Sequence, residues 1–194
     1  MEIFGNHGYT NGTLADIAEQ VGITHAGVLH HFGSKQKLLL EVLEYRDRSD
    51  VENFVEHHMP GGAELFVHLM ETAYANARRA GIVQVYTVLS AESVTDEHPA
   101  RQFFVDRYRG LRQLVADAFA ELCEQEGVTD RGAVGNGTAS ILAAMDGLQL
   151  QWLLQPDTID LGESTGFAIR AIVNEVLAPR SGLSSYVREA DAEE

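Results

Sequence analysis

The chain has 194 residues, 45% of them hydrophobic, and sets 14 Lys+Arg against 29 Asp+Glu for a net charge of −15. That length and apolar content suffice for an ordinary globular core, while no apolar run approaches the roughly 20 residues that span a bilayer. The first residues lack the basic-then-apolar order of a secretory leader, and a lone cysteine, Cys123, excludes an internal disulfide, so a cytoplasmic protein with no membrane partner is expected. In chain order, the first strong signal runs from Thr13 to Lys37. Thr13 with Asp16 three residues on is a helix-opening pair of hydroxyl cap and carboxylate. Leu14, Ile17, Ala18 and Val21 follow as one apolar stripe at helical spacing. Gly22 stops this helix as a left-handed C-terminal glycine does. Thr24 caps a second helix, His25 to about Phe32, and Ser34 a third beginning near Lys35. Helix, glycine-bearing turn, helix is the helix-turn-helix layout, whose second helix enters the major groove of DNA.

The same stretch carries a wider pattern. Gly8-Tyr9, Thr13 with Ile17-Ala18, Gly22-Ile23-Thr24, His31-Phe32 and Ser34-Lys35, continued by Leu38, Leu39, Val42 and Leu43, resemble the TetR family of bacterial transcriptional regulators. Two departures stand out. Many members place a phosphate-reaching tyrosine two residues before the histidine, where this chain has Leu29. Members also carry a basic stretch of first helix ahead of the position where this sequence starts, so Met1 to Phe4 is expected to be that helix's last turn. The layout assigns His25, Ala26, Gly27 and His30 to base edges, and Thr24, His31 and Lys35 to phosphates, with Thr13 beside them. Gly27 costs about 1 kcal/mol against alanine inside a helix, which a close backbone approach to DNA explains. Val28, Leu29 and Phe32 are expected in the core of the small unit, Leu29 toward its rim.

Charge distribution qualifies the acidic total. Residues 1–40 hold Lys35 and Lys37 against Glu2, Asp16 and Glu19, a balance of −1, so the acid lies almost wholly beyond them. His7, His25, His30 and His31 add positive charge at mildly acid pH. With so few cations to neutralise phosphates, modest non-specific affinity and a shallow salt dependence are expected.

Beyond the reading head the sequence is helical throughout. The helix from Lys35 runs to about His58 and stops at Met59-Pro60-Gly61-Gly62. A second covers Ala63 to Arg79. Ile82 to Ser93 is apolar enough to be a buried helix or a strand. Pro99 opens a long helix to about Glu126, Ala133 to Leu154 forms another, and Ser164 caps the last, which ends before Pro179. The expected architecture is all-α: a helix-turn-helix three-helix DNA-binding unit over residues 1–44, a larger helical ligand-binding and dimerisation domain over 45–179, and an acidic disordered tail over 180–194.

The resemblance places a dimer interface on the last two helices. Small residues there, Gly135, Gly137, Ala139, Ala143 and Gly147, allow close helix approach, and Phe167, Arg170, Val173 and Asn174 complete the expected surface of a homodimer; a buried core pair is the plainer alternative. It also implies a small-molecule inducer, apolar or aromatic, among the middle helices. The candidates are Phe66, Met70, Tyr74, Tyr86, Leu89, Phe104, Tyr108, Met145, Gln149 and Trp152, each of which fits plain core as well. His57-His58-Met59 with His68 invites a metal, but adjacent helical histidines point about 100° apart. Neither metal nor cofactor is expected. The chain shows no nucleophile elbow or phosphate-binding glycine loop, and carboxylates such as Asp146 read as interface or solvent groups. The function expected is therefore a homodimeric DNA-binding regulator, most simply a repressor released from double-stranded operator DNA by its ligand. The other reading is a ligand- or protein-binding helical module that has lost DNA binding.

Overall fold

A computed structural model describes residues 1–51 and 59–178. These form nine helices and no strand: α1 (Glu2–Asn11), α2 (Leu14–Gln20), α3 (His25–Phe32), α4 (Lys35–Val51), α5 (Gly62–Asn76), α6 (Ala80–Glu92), α7 (Arg101–Gln125), α8 (Val134–Leu154) and α9 (Leu161–Leu177). The all-α expectation holds. The expected end of α4 near residue 58 and the tail from 180 lie outside the described residues.

Local chemistry sets the reading head. Thr13 Oγ1 accepts from the Asp16 backbone N–H at 3.1 Å while Asp16 accepts from the Thr13 backbone N–H at the same distance, a reciprocal capping box. Gly22, at φ 72, turns the chain between α2 and α3 in a conformation that costs any other residue a Cβ clash. Thr24 then caps α3 through the Gly27 N–H at 3.0 Å, and Ser34 caps α4 through the Lys37 N–H at 3.1 Å.

Two expectations are corrected and an open choice is decided. Met1 to Phe4 is not a last turn, because α1 continues to Asn11 through a sharp break at Gly8 (φ 69, ψ −175). The last helix begins at Leu161, because Asp160 accepts from the Glu163 N–H at 2.9 Å and closes the N-terminus four residues ahead of Ser164. The stretch from Ile82 is a helix, opening at Ala80.

Packing divides into two main clusters. The first gathers Phe4, Ala18, Val28, Leu38, Leu39 and Leu43 of the N-terminal helices against Val85, Tyr86, Leu89, Ala100 and Phe104, so α6 and the start of α7 form the floor of the N-terminal unit. A boundary at residue 44 therefore falls within α4 and across a shared core. The second joins α5, α7, α8 and α9 through Leu65, Phe66, Val115, Phe119, Leu122, Cys123, Ile141, Ile169 and Val176. Cys123 is fully buried there.

Gly137 belongs to that second core and not to an outward small-residue face. A Cβ on it would stand 2.5 Å from Val176 Cγ2 and 3.4 Å from the Phe119 ring. Gly137→Ala should therefore overpack the α8–α9 contact and cost about 1–3 kcal/mol. Denaturant melts should show the loss, and Val176→Ala should recover part of it.

Candidate functional site

The reading face is open. Thr13, Thr24, His25, Ala26, His30 and His31 are exposed, Gly27 is half-buried, and Val28 anchors α3 from behind. Leu29, expected near the rim, is 38% exposed and faces outward. A Cβ on Gly27 would lie 3.3 Å from Thr24 Oγ1, leaving little room beside the cap itself. Lys35 is tied inward. Its ammonium lies 4.4 Å from the centre of the Tyr9 ring and donates to the Thr10 carbonyl at 3.3 Å.

One carboxylate fastens this head to the body. Glu92, the last residue of α6, accepts from the Tyr9 backbone N–H at 2.7 Å. Its side chain fills the space that a Cβ on Gly8 would need. His98 meets the Tyr9 ring edge-on at 5.4 Å, with its Nε2 3.7 Å from Glu92 Oε2. Gln84 of α6 donates to the Gly5 carbonyl at 3.2 Å, and a Cβ on Gly5 would sit 3.0 Å from Val85 Cγ2, so α1 and α6 lie in direct backbone contact. This anchorage rests on residues 83 positions apart in sequence and was not anticipated from it.

Behind the head lies a cavity of about 290 Å³ between α4, α5, α7 and α8. Leu69, Leu111, Leu114, Leu142 and Met145 supply its apolar wall. Its polar wall is a linked set. Asp47 is clasped by Arg46 at 3.2 Å and by Arg107 at 2.5 Å. Arg107 Nε donates to the Tyr86 hydroxyl at 2.8 Å, and the Arg46 guanidinium lies 4.2 Å over the Tyr86 ring. Opposite, the Tyr108 hydroxyl donates to Asp146 Oδ2 at 2.6 Å. Burial pushes the Tyr86 and Tyr108 phenols up, so both are hydroxyl donors at neutral pH.

Burial also holds the Asp146 carboxyl above the ordinary carboxylate range, against the opposing pull of the Tyr108 hydroxyl and of Arg107 and Arg46. Between the ordinary and the raised value the folded state binds more protons than the unfolded one, so this group's contribution to stability rises as pH falls through that window. Asp146→Asn should accordingly raise the melting temperature at neutral pH. The gain should shrink as pH falls and vanish below about pH 3, where the aspartate is protonated in both the folded and the unfolded state. Calorimetric scans of both proteins from acid to neutral pH read this directly.

Of the expected ligand-site residues, Tyr86, Tyr108, Met145 and Gln149 line the cavity. The others lie elsewhere. Phe66 packs on Phe119 at 4.6 Å, Leu89 and Phe104 belong to the first core, and Trp152 packs with Val83 and Leu161. Met70 Sδ meets Arg170 Nη1 at 3.7 Å, and Tyr74 donates to Glu163 at 2.6 Å on the outer surface. Arg46, Asp47, Arg107 and Asp146 were missed, Asp146 having been read as an interface or solvent group. The signal that points to it is a single carboxylate in the otherwise uncharged run from Ile141 to Gln149.

On the outer face of α8, Gly135, Ala139 and Ala143 are exposed and Gly147 half-buried, and no atom comes within 4 Å of a Cβ built on either glycine. On α9, Phe167 is 71% exposed, with Arg170 and Asn174 exposed and Val173 half-buried beside it. Leu154 is 74% exposed at the end of α8. His57 and His58 lie outside the described residues. His68 lines the cavity, 3.3 Å from the Thr72 hydroxyl, and no cluster of three metal-ligating side chains occurs among the described residues. Nor is any helix among them long and apolar enough to cross a membrane.

A capped helix pair with its second helix exposed, borne on a helical body, defines a helix-turn-helix DNA-binding protein. The profile for bacterial regulatory proteins of the TetR family matches residues 1–42, and that for the BetI-type transcriptional repressor C-terminal region matches residues 65–178. Similarity extends along the chain to individual regulators. It is 26% identical to the HTH-type transcriptional regulator BetI of Agrobacterium fabrum, covering 84% of this chain and 78% of that one. It is 28% identical to the HTH-type transcriptional regulator TtgR of Pseudomonas putida (81% and 78% covered) and 22% identical to AcrR of Shigella flexneri (83% and 78%). The chain belongs to the TetR family. It is a DNA-binding regulator of transcription and not an enzyme.

Proposed function

We propose that this protein is a homodimeric repressor, released from its operator by a small molecule held in the internal cavity. The observation that carries this reading is the position of α4. The helix starts at Lys35 beside the reading head and brings Arg46 and Asp47 into the cavity wall. A ligand that favours one placement of Asp47 between its two arginines would thereby favour one placement of α3 on DNA, a population shift between two arrangements.

In this reading residues 1–44 read DNA and residues 45–179 hold ligand and partner. Thr24, His31 and Lys35 meet phosphates, Lys35 once it exchanges the Thr10 carbonyl for DNA. His25, Ala26, Gly27 and His30 face base edges, with Thr13 at the flank. The uncovered strip of Gly135, Ala139, Ala143, Gly147, Phe167, Arg170, Val173 and Asn174 pairs with its symmetry mate. Two-fold symmetry sets two α3 helices one turn of DNA apart.

The experiment is fluorescence anisotropy with DNA upstream of the protein's own gene, at about 50 and 200 mM salt, against scrambled competitor. Specific binding that weakens by about a hundredfold or less across that range is expected, since few lysines are available to displace counterions. Failure to bind, repeated over a random-sequence selection, would remove the DNA-reading proposal. The inward tie of Lys35 would then favour the module without DNA binding.

A further inference from the structure

The cavity wall is specific about charge. Its acidic and basic side chains among the described residues include Arg46, Arg107, Asp47 and Asp146, two of each kind. Asp47 uses both oxygens on the two guanidiniums. Acid and base are matched in number in this set, and a bound ion would bring a further charge into a largely apolar space.

What the wall leaves open is hydrogen bonding. Asp146 Oδ2 takes the Tyr108 hydroxyl, and Oδ1 has no hydrogen bond among the described residues. Gln149, three residues on and thus on the same helix face, is buried, lines the cavity and likewise shows no hydrogen bond among them. Across the cavity, Asn76 is 1% exposed. Its Oδ1 accepts from Arg79 at 2.7 Å, while its Nδ2 is buried without a partner among the described residues. A buried amide nitrogen left in this state, as Asn76 Nδ2 is, points to a missing partner.

Resting on the reading of this cavity as the ligand site, we infer that its ligand is an uncharged aromatic compound bearing a hydroxyl. The hydroxyl donates to Asp146 Oδ1 and accepts from Gln149 Nε2, while Leu69, Leu111, Leu114, Leu142 and Met145 hold the ring. A second acceptor at the far end of the ligand meets Asn76 Nδ2. A hydroxyl does both jobs at one atom, which neither an ammonium nor a carboxylate can. The raised Asp146 carboxyl agrees, since burial already disfavours a full negative charge there.

Equilibrium dialysis at pH 7 with four probes of one shape tests this: 4-phenylphenol, biphenyl, 4-phenylbenzylamine and 4-phenylbenzoate. The phenol should bind about tenfold more tightly than biphenyl and than either ion, the gain of one well-made hydrogen-bond pair in a buried site. Asp146→Ala should reduce the advantage over biphenyl to about twofold or less while biphenyl itself binds as before. Gln149→Leu should move the ratio the same way by a smaller factor. Tightest binding by the amine or the carboxylate overturns the uncharged class and leaves the cavity as a ligand site. Binding by none of the four at their solubility limits overturns the ligand-site reading together with it.

Discussion

Gly8→Ala is expected to cost about 3–5 kcal/mol and to abolish operator binding at temperatures where the wild type still binds. Two terms combine. At φ 69 and ψ −175 the backbone occupies a region open essentially to glycine alone, so an alanine there carries of order 1–3 kcal/mol of strain. The new methyl also overlaps the Glu92 carboxylate, and displacing it breaks the charged hydrogen bond to the Tyr9 N–H, worth about 1.5–3 kcal/mol. Against a total stability of about 12 kcal/mol in a domain of this kind, roughly five to eight times RT is lost at one α-carbon. The melting temperature should fall by about 10 °C. A double-mutant cycle separates the terms. In a Glu92→Ala background the overlap is gone, so Gly8→Ala should cost only the backbone strain, and the measured coupling should equal the lost carboxylate contact. An additive cycle would remove Glu92 from this account.

Phe167→Glu should leave the chain monomeric at micromolar concentration and weaken operator binding by about a thousandfold. A phenyl ring this exposed gains about 1.5–3 kcal/mol on burial, and two-fold symmetry counts it twice. A carboxylate in its place both forfeits that gain and resists desolvation. Because Phe167 faces outward, the monomer itself should melt close to the wild-type temperature, which distinguishes loss of pairing from loss of fold. Analytical ultracentrifugation reads the first and anisotropy the DNA affinity. A dimer that survives the substitution would move the interface off α9.

Which parts of this molecule were legible in sequence follows from the range of the interactions that make them. Both ends of α3 were readable because Thr24, Gly22 and Ser34 act within three or four residues of themselves. The start of α9 was misplaced because Asp160 and Ser164 are both good caps, and tertiary placement of Leu161 and Gly162 in the core decides between them. The cavity was half legible. Aromatic and methionine side chains at helical spacing look alike whether they meet a void or another ring, as Phe66 on Phe119 and Tyr108 over the cavity show. Apart from Asp146, the charged wall was not legible. Arg107 and Asp47 lie 60 positions apart on different helices, and nothing local marks them as partners. The same distance concealed Glu92 and Tyr9.

α4 joins Lys35 to Asp47 through three unbroken turns of backbone. If that helix carries the signal, thermodynamic reciprocity constrains how the sensor is used: a ligand that lowers operator affinity tenfold must itself bind tenfold more weakly to protein already on DNA. The operator then acts as an antagonist of the ligand. A promoter with a strong operator would respond only at high ligand concentration, and one with a weak operator would respond early, so that a single protein could set different thresholds for different genes through DNA sequence alone.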